Sequence, residues 1–127
     1  MKLKKVLIGG VAASMLLTGG LVAQASTKYK SYSTTVGPIN GSGYSSYQTK
    51  NVAGQKADIS HKSNGGYSVD VRTNSSGSNG TWARNLQAGD KRQLSNSHNK
   101  GTQTRLQFSN DLDTRVSTQS SGTWRSN

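Results

Sequence analysis

The sequence predicts an all-β protein: an antiparallel β-sandwich of about seven or eight short strands, preceded by a signal peptide. Three observations carry that expectation. Past residue 25 the apolar side chains recur at alternate positions and never with helical spacing. Asn-Gly and Gly-rich turn signals separate the alternating runs. The runs are short and follow one another every 8–12 residues or so, the rhythm of a sandwich.

In chain order, the expected strands are Tyr29–Val36, Tyr44–Asn51, Lys56–Lys62, Tyr67–Thr73, Thr81–Leu86, Lys91–Leu94, Thr104–Ser109 and Thr114–Thr118, with a short piece around Trp124. Register can be argued for one pair. Ala57, Ile59 and His61 share a face of one strand, and Tyr67, Val69, Val71 and Thr73 share a face of the next. Directly paired residues point to the same side of a sheet, so joining the two sets in a hairpin requires an odd loop. A three-residue loop, Asn64–Gly66, pairs His61 with Val69, Ile59 with Val71 and Ala57 with Thr73, and sets Asp58 opposite Arg72. The same parity pairs Phe108 with Val116 around Asp111-Leu112-Asp113.

The N-terminus has a different character. Lys2, Lys4 and Lys5 precede an apolar run from Val6 to Leu17. That run is well short of the roughly twenty residues a spanning helix needs. It leads to Ala23-Gln24-Ala25, a small-x-small site of the kind signal peptidase cuts, with Ala23 and Ala25 as the small residues. Residues 1–25 are therefore expected to be a signal peptide. Residues 26–127 would form a single secreted, extracellular domain with no transmembrane span after cleavage. The chain has no cysteine, so neither a lipid-anchoring lipobox nor a disulfide framework is available. A disulfide-free exported domain fits bacteria that export across one membrane.

Removing the three signal lysines leaves thirteen cationic side chains against five aspartates and no glutamate, a net charge of +8. Enzymatic chemistry has little to work with. His61 lies on an inward face, His98 lies in the polar loop Ser95–Gly101 and is expected in solvent, and no serine sits in a Gly-x-Ser-x-Gly turn. No catalytic residue is assigned and no cofactor is implied. Asn110, Asp111 and Asp113 supply only a fragment of a calcium shell and read as turn residues. Zinc lacks its ligands, so no metal site is assigned. No nucleic-acid-binding motif appears, and export argues against nucleic acid as a partner.

What remains is cationic excess with aromatic residues. The cations are spread along the chain, and bacterial surfaces are polyanionic. Tyr44 and Tyr47 could offer stacking faces, or could be ordinary strand residues. Tyr44, Tyr47, Lys50, Lys62 and Arg72 are the candidate ligand-binding residues. The expected partner is an anionic cell-wall polymer or membrane surface, held by charge.

Val36-Gly37-Pro38, Gly43-Tyr44-Ser45-Ser46-Tyr47, Gly65-Gly66-Tyr67-Ser68-Val69 and the Ser121-Gly122-Thr123-Trp124 ending together resemble small secreted proteins of Gram-positive bacteria. The Gly-Thr-Trp element is also similar to bacteriocins of the lactococcin 972 type. The first resemblance implies a small secreted protein and supplies no catalytic residues, so the reading of a basic, non-enzymatic protein at the envelope rests on charge and composition. The second implies a bacteriocin-like secreted antimicrobial.

Overall fold

The computed structural model describes residues 27–127. The expected signal peptide, with its cleavage site at Ala23 and Ala25, lies outside them. The described chain is all-β: two antiparallel sheets pack face to face as a sandwich. The strands are β1 (Lys30–Val36), β2 (Ser42–Tyr44), β3 (Gln48–Thr49), β4 (Ala57–Ser63) and β5 (Val69–Ser75). After them come β6 (Ser78–Asn79), β7 (Ala83–Leu86), β8 (Lys91–Leu94), β9 (Gln103–Asn110) and β10 (Thr118–Arg125).

One sheet has the order β1-β10-β4-β8. In the other, β9 and β5 pair at the centre. Strands β2 and β3 lie along the free side of β9, and β6 and β7 lie along the free side of β5. The first sheet sends Tyr32, Val36, Ala57, Ile59, Leu94 and Trp124 inward, and the second sends Val69, Val71, Leu86, Leu106 and Phe108. The rings of Tyr32 and Phe108 meet across the gap at 5.1 Å between centroids.

Of the inward sets expected for β4 and β5, Ala57, Ile59, His61, Val69, Val71 and Thr73 are buried, but Tyr67 is exposed, because β5 begins only at Val69 and Tyr67 belongs to the turn before it. Their partnership is not the one expected. Strands β4 and β5 do not form a hairpin. They belong to opposite sheets, so the two sets face each other across the core. Ile59 lies opposite Trp124 and Arg92, Val71 opposite Phe108, and Asp58 opposite Arg125.

The reason is the Asn64 side chain. An exposed turn would leave it in water, yet here it is 1% exposed. Its Oδ1 accepts from Thr118 Oγ1 at 2.9 Å and from Ser120 Oγ, and its Nδ2 donates to Asn110 Oδ1 at 3.2 Å. Asn110 Nδ2 in turn donates to the carbonyls of Val36 and Gly37. Gly65 and Gly66, with φ of 63° and 87°, then carry the chain from one sheet to the other.

The expected Phe108–Val116 pairing fails in the same way. Phe108 pairs Val71 and Gly43, and Val116 is exposed in the loop after β9. The strand expected over residues 114–118 is displaced to Thr118–Arg125, the longer central strand that pairs both β1 and β4.

If Asn64 ties four chain segments together, Asn64→Gly should cost about 2 kcal/mol or more in denaturant unfolding, because Asn110, Thr118 and Ser120 lose buried partners. In a surface hairpin turn the same change would be neutral or stabilising.

Candidate functional site

The outer face of the β9–β5 sheet gathers aromatic and cationic side chains from four segments. Along β9 and β5 the inward residues alternate with Arg105 and Gln107 on one strand and Arg72 and Asn74 on the other. The register sets Arg105 opposite Asn74 and Gln107 opposite Arg72. Each arginine bonds the amide across from it. Arg105 Nε donates to Asn74 Oδ1 at 2.9 Å, and Arg72 Nε donates to Gln107 Oε1 at 2.9 Å. The Asn74 amide is itself fixed, donating from Nδ2 to Asn79 Oδ1 at 2.8 Å.

Aromatic rings hold the same guanidiniums from the side. Arg105 lies 3.9 Å from the centroid of Tyr44 and 5.0 Å from that of Tyr47. Arg72 lies 4.4 Å from Trp82, and Arg84 approaches the same ring at 5.4 Å. Arg84 is neutralised by Asp70, at 2.8 Å, whose other oxygen accepts from the Asn85 amide. Among the described residues Arg72 and Arg105 form no ion pair. Each therefore presents the N–H donors of its Nη1 and Nη2 without a carboxylate to satisfy them.

A regular strand over Tyr44–Asn51 would send Tyr44 and Tyr47 to opposite faces. The strand is broken between β2 and β3 instead. Ser45 is still inward, its hydroxyl accepting from the Leu106 amide at 2.8 Å, but Ser46 and Tyr47 are exposed in succession, and that extra outward residue brings both tyrosines to the Arg105 side.

Three of the five residues singled out in the sequence thus come together: Tyr44, Tyr47 and Arg72. Lys62 is exposed on the other sheet, beside Ser60, Lys91 and Thr123 in a shallow groove. Lys50 is not a surface residue at all. It is 1% exposed, and its Nζ donates to the carbonyls of Gln55 and Ser126, the latter at 2.8 Å. The cause is the packing of the last residues of β10 and the segment after it against β3. Ser126 donates its amide to Gln48 Oε1, and Asn127 accepts from the amides of Asn51 and Val52.

His98, expected in solvent, is also buried, with Nε2 3.0 Å from Thr73 Oγ1. His61 Nδ1 meets the Tyr32 hydroxyl at 2.7 Å. Burial lowers both histidine pKa values below their ordinary range. Asn110 and Asp111 diverge, Asn110 into the buried network and Asp111 onto the Ser68 hydroxyl. Among the described residues no three His, Cys, Asp or Glu side chains come together.

Three of the cations, Arg72, Arg84 and Arg105, thus share one face, while Lys62 and Lys91 lie on the opposite sheet. The sequence reading missed Arg105, Trp82, Gln107 and Asn74, although the alternation of Gln103, Arg105 and Gln107 marks an outward polar row. The chain matches no family model, no curated protein and no solved structure. The class is therefore the one that fold and face define, an all-β sandwich with an aromatic-backed arginine face.

Burial without a counter-charge lowers the Lys50 pKa from 10.5 to about 8. An unfolded chain holds that proton to higher pH, so the folded state gains stability as pH rises from 8 toward 10, by about 2 kcal/mol. Above pH 10 the gain should reverse. Burial raises the pKa of Tyr32, so the unfolded state ionises there while the folded state does not. Unfolding measured from pH 7 to 11 should show this maximum, and Lys50→Met should remove the rise on its alkaline approach.

Proposed function

We propose that this is a secreted, non-enzymatic protein that associates with anionic polymers of the bacterial cell envelope through the outer face of the β9–β5 sheet. The observation that supports it most is the pair Arg72 and Arg105. Each is anchored at Nε and backed by a ring, and neither is paired with a carboxylate. A guanidinium held this way has lost little freedom still to lose on binding, and its planar fork matches oxyanions. The net charge of +8 adds long-range attraction.

The alternative, a bacteriocin-like antimicrobial, has one observation of its own. Ile39, Leu112 and Val116 are exposed at one end of the sandwich. Their loops are held together by Ile39 N to Thr114 O at 2.7 Å and by Asn40 N to Asp111 O at 3.3 Å. Exposed aliphatic side chains suit contact with a membrane.

Binding to isolated Gram-positive walls should be strong at low salt and fall steeply as salt is raised, because exposed charges are screened over about 8 Å at physiological ionic strength. The double change Arg72→Gln with Arg105→Gln should weaken retention far more than Lys62→Gln with Lys91→Gln, which removes equal charge from the opposite sheet. Equal losses would mean that net charge, not this face, holds the protein. Absence of retention at low salt would remove the reading.

A further inference from the structure

We propose that Arg72 and Arg105 form one site for two consecutive phosphodiesters of a polyol phosphate chain. This rests on the proposed association with an anionic envelope polymer and names its chemical class. The two arginines lie on neighbouring strands, two rungs of the ladder apart: Arg72 opposite Gln107, Arg105 opposite Asn74. Diagonal neighbours of this kind are about 7–8 Å apart. In a glycerol phosphate chain, successive phosphorus atoms are separated by the same number of backbone bonds as two peptide units. Two residues of extended chain reach about 7 Å. Successive phosphodiesters of such a chain thus repeat at the spacing of the two backbone positions from which the guanidiniums rise.

The electrostatics point the same way. Two like charges rising from one sheet face repel each other, and neither forms an ion pair with a carboxylate among the described residues. An alternating anionic chain relieves both at once. Arg72 and Arg105 spend Nε on Gln107 and Asn74, which leaves the paired terminal nitrogens, the edge that chelates two oxygens of one phosphate.

The aromatic rings argue against the other phosphodiester polymer, single-stranded nucleic acid. Its binders leave ring faces open for bases. Here Trp82 carries two guanidiniums, and Tyr44 and Tyr47 share a third. Ser75, Ser76, Thr102 and Gln103 line a shallow hollow against Tyr47.

The test is titration of the protein at one fixed low salt with glycerol phosphate oligomers carrying one, two and three phosphodiesters, followed by calorimetry. Affinity should rise about tenfold or more from one to two phosphodiesters and little from two to three, since only two arginines are prepared. Arg72→Lys and Arg105→Lys keep the charge but lose the fork, and each should abolish that step. Lys62→Ala should leave it intact. If polyglutamate of equal charge binds as well as the oligomers, or if the lysine variants keep the step, the phosphodiester site is overturned while charge-driven envelope association stands. Tighter binding of an oligothymidylate with the same number of phosphates would overturn it in favour of nucleic acid. Failure of every polyanion to bind would overturn both readings together.

Discussion

The burial of one amide side chain decides how this chain is routed. Asn64 sits at the end of β4, where a local reading of the sequence sees a tight turn. Its side chain is satisfied instead by Thr118, Ser120 and Asn110, which belong to β10 and the end of β9. A buried amide that loses its partners costs more than any surface turn returns. Once Asn64 is held inside, the chain has to leave β4 toward the opposite sheet, and β5 pairs β9. The outer face inherits that choice. In a β4–β5 hairpin Arg72 would lie opposite Asp58 and be neutralised. In the sandwich Asp58 pairs Arg125 at 2.8 Å, and Arg72 is left with an amide and a ring.

Much of the fold is legible in the sequence because alternation reports which side of a strand a residue takes. Ala57, Ile59, Val69, Val71, Leu106 and Phe108 are inward as their spacing requires. Alternation does not report which strand lies alongside. Two inward sets look the same whether they are neighbours in one sheet or facing halves of a core, so parity alone favours the local hairpin. Strand β10 is legible only as the short piece around Trp124, and its full length is obscured for a different reason. Thr118–Arg125 contains one large apolar residue, Trp124, and its inward Thr118 and Ser120 are buried by hydrogen bonds and not by hydrophobicity. Gly122 disguises it further. A side chain there would strike the Ser60 carbonyl, so the glycine marks close strand approach, not a turn.

The candidate site was legible in part. Tyr44, Tyr47 and Arg72 carry a visible chemical signal. What brings the tyrosines to one face is the break in alternation at Ser46 and Tyr47, exposed in succession, which has no sequence signature of its own. Lys50 and His98 misled because polar residues in polar segments read as solvated. Lys50 is enclosed where the residues after Trp124 pack against β3, and His98 where its loop turns inward onto Thr73 of β5. Arg105 and Trp82 stand out only when the register between β5 and β9 is known.

The neighbour of Arg72 is thus the point on which fold and function both turn. Interstrand nuclear Overhauser contacts in isotopically labelled protein report it directly. They are expected to connect residues 71–74 with 105–108, and residue 58 with residue 125, with none between residues 58 and 72. Contacts between Asp58 and Arg72 would restore the hairpin, neutralise the arginine and contradict this account of the face.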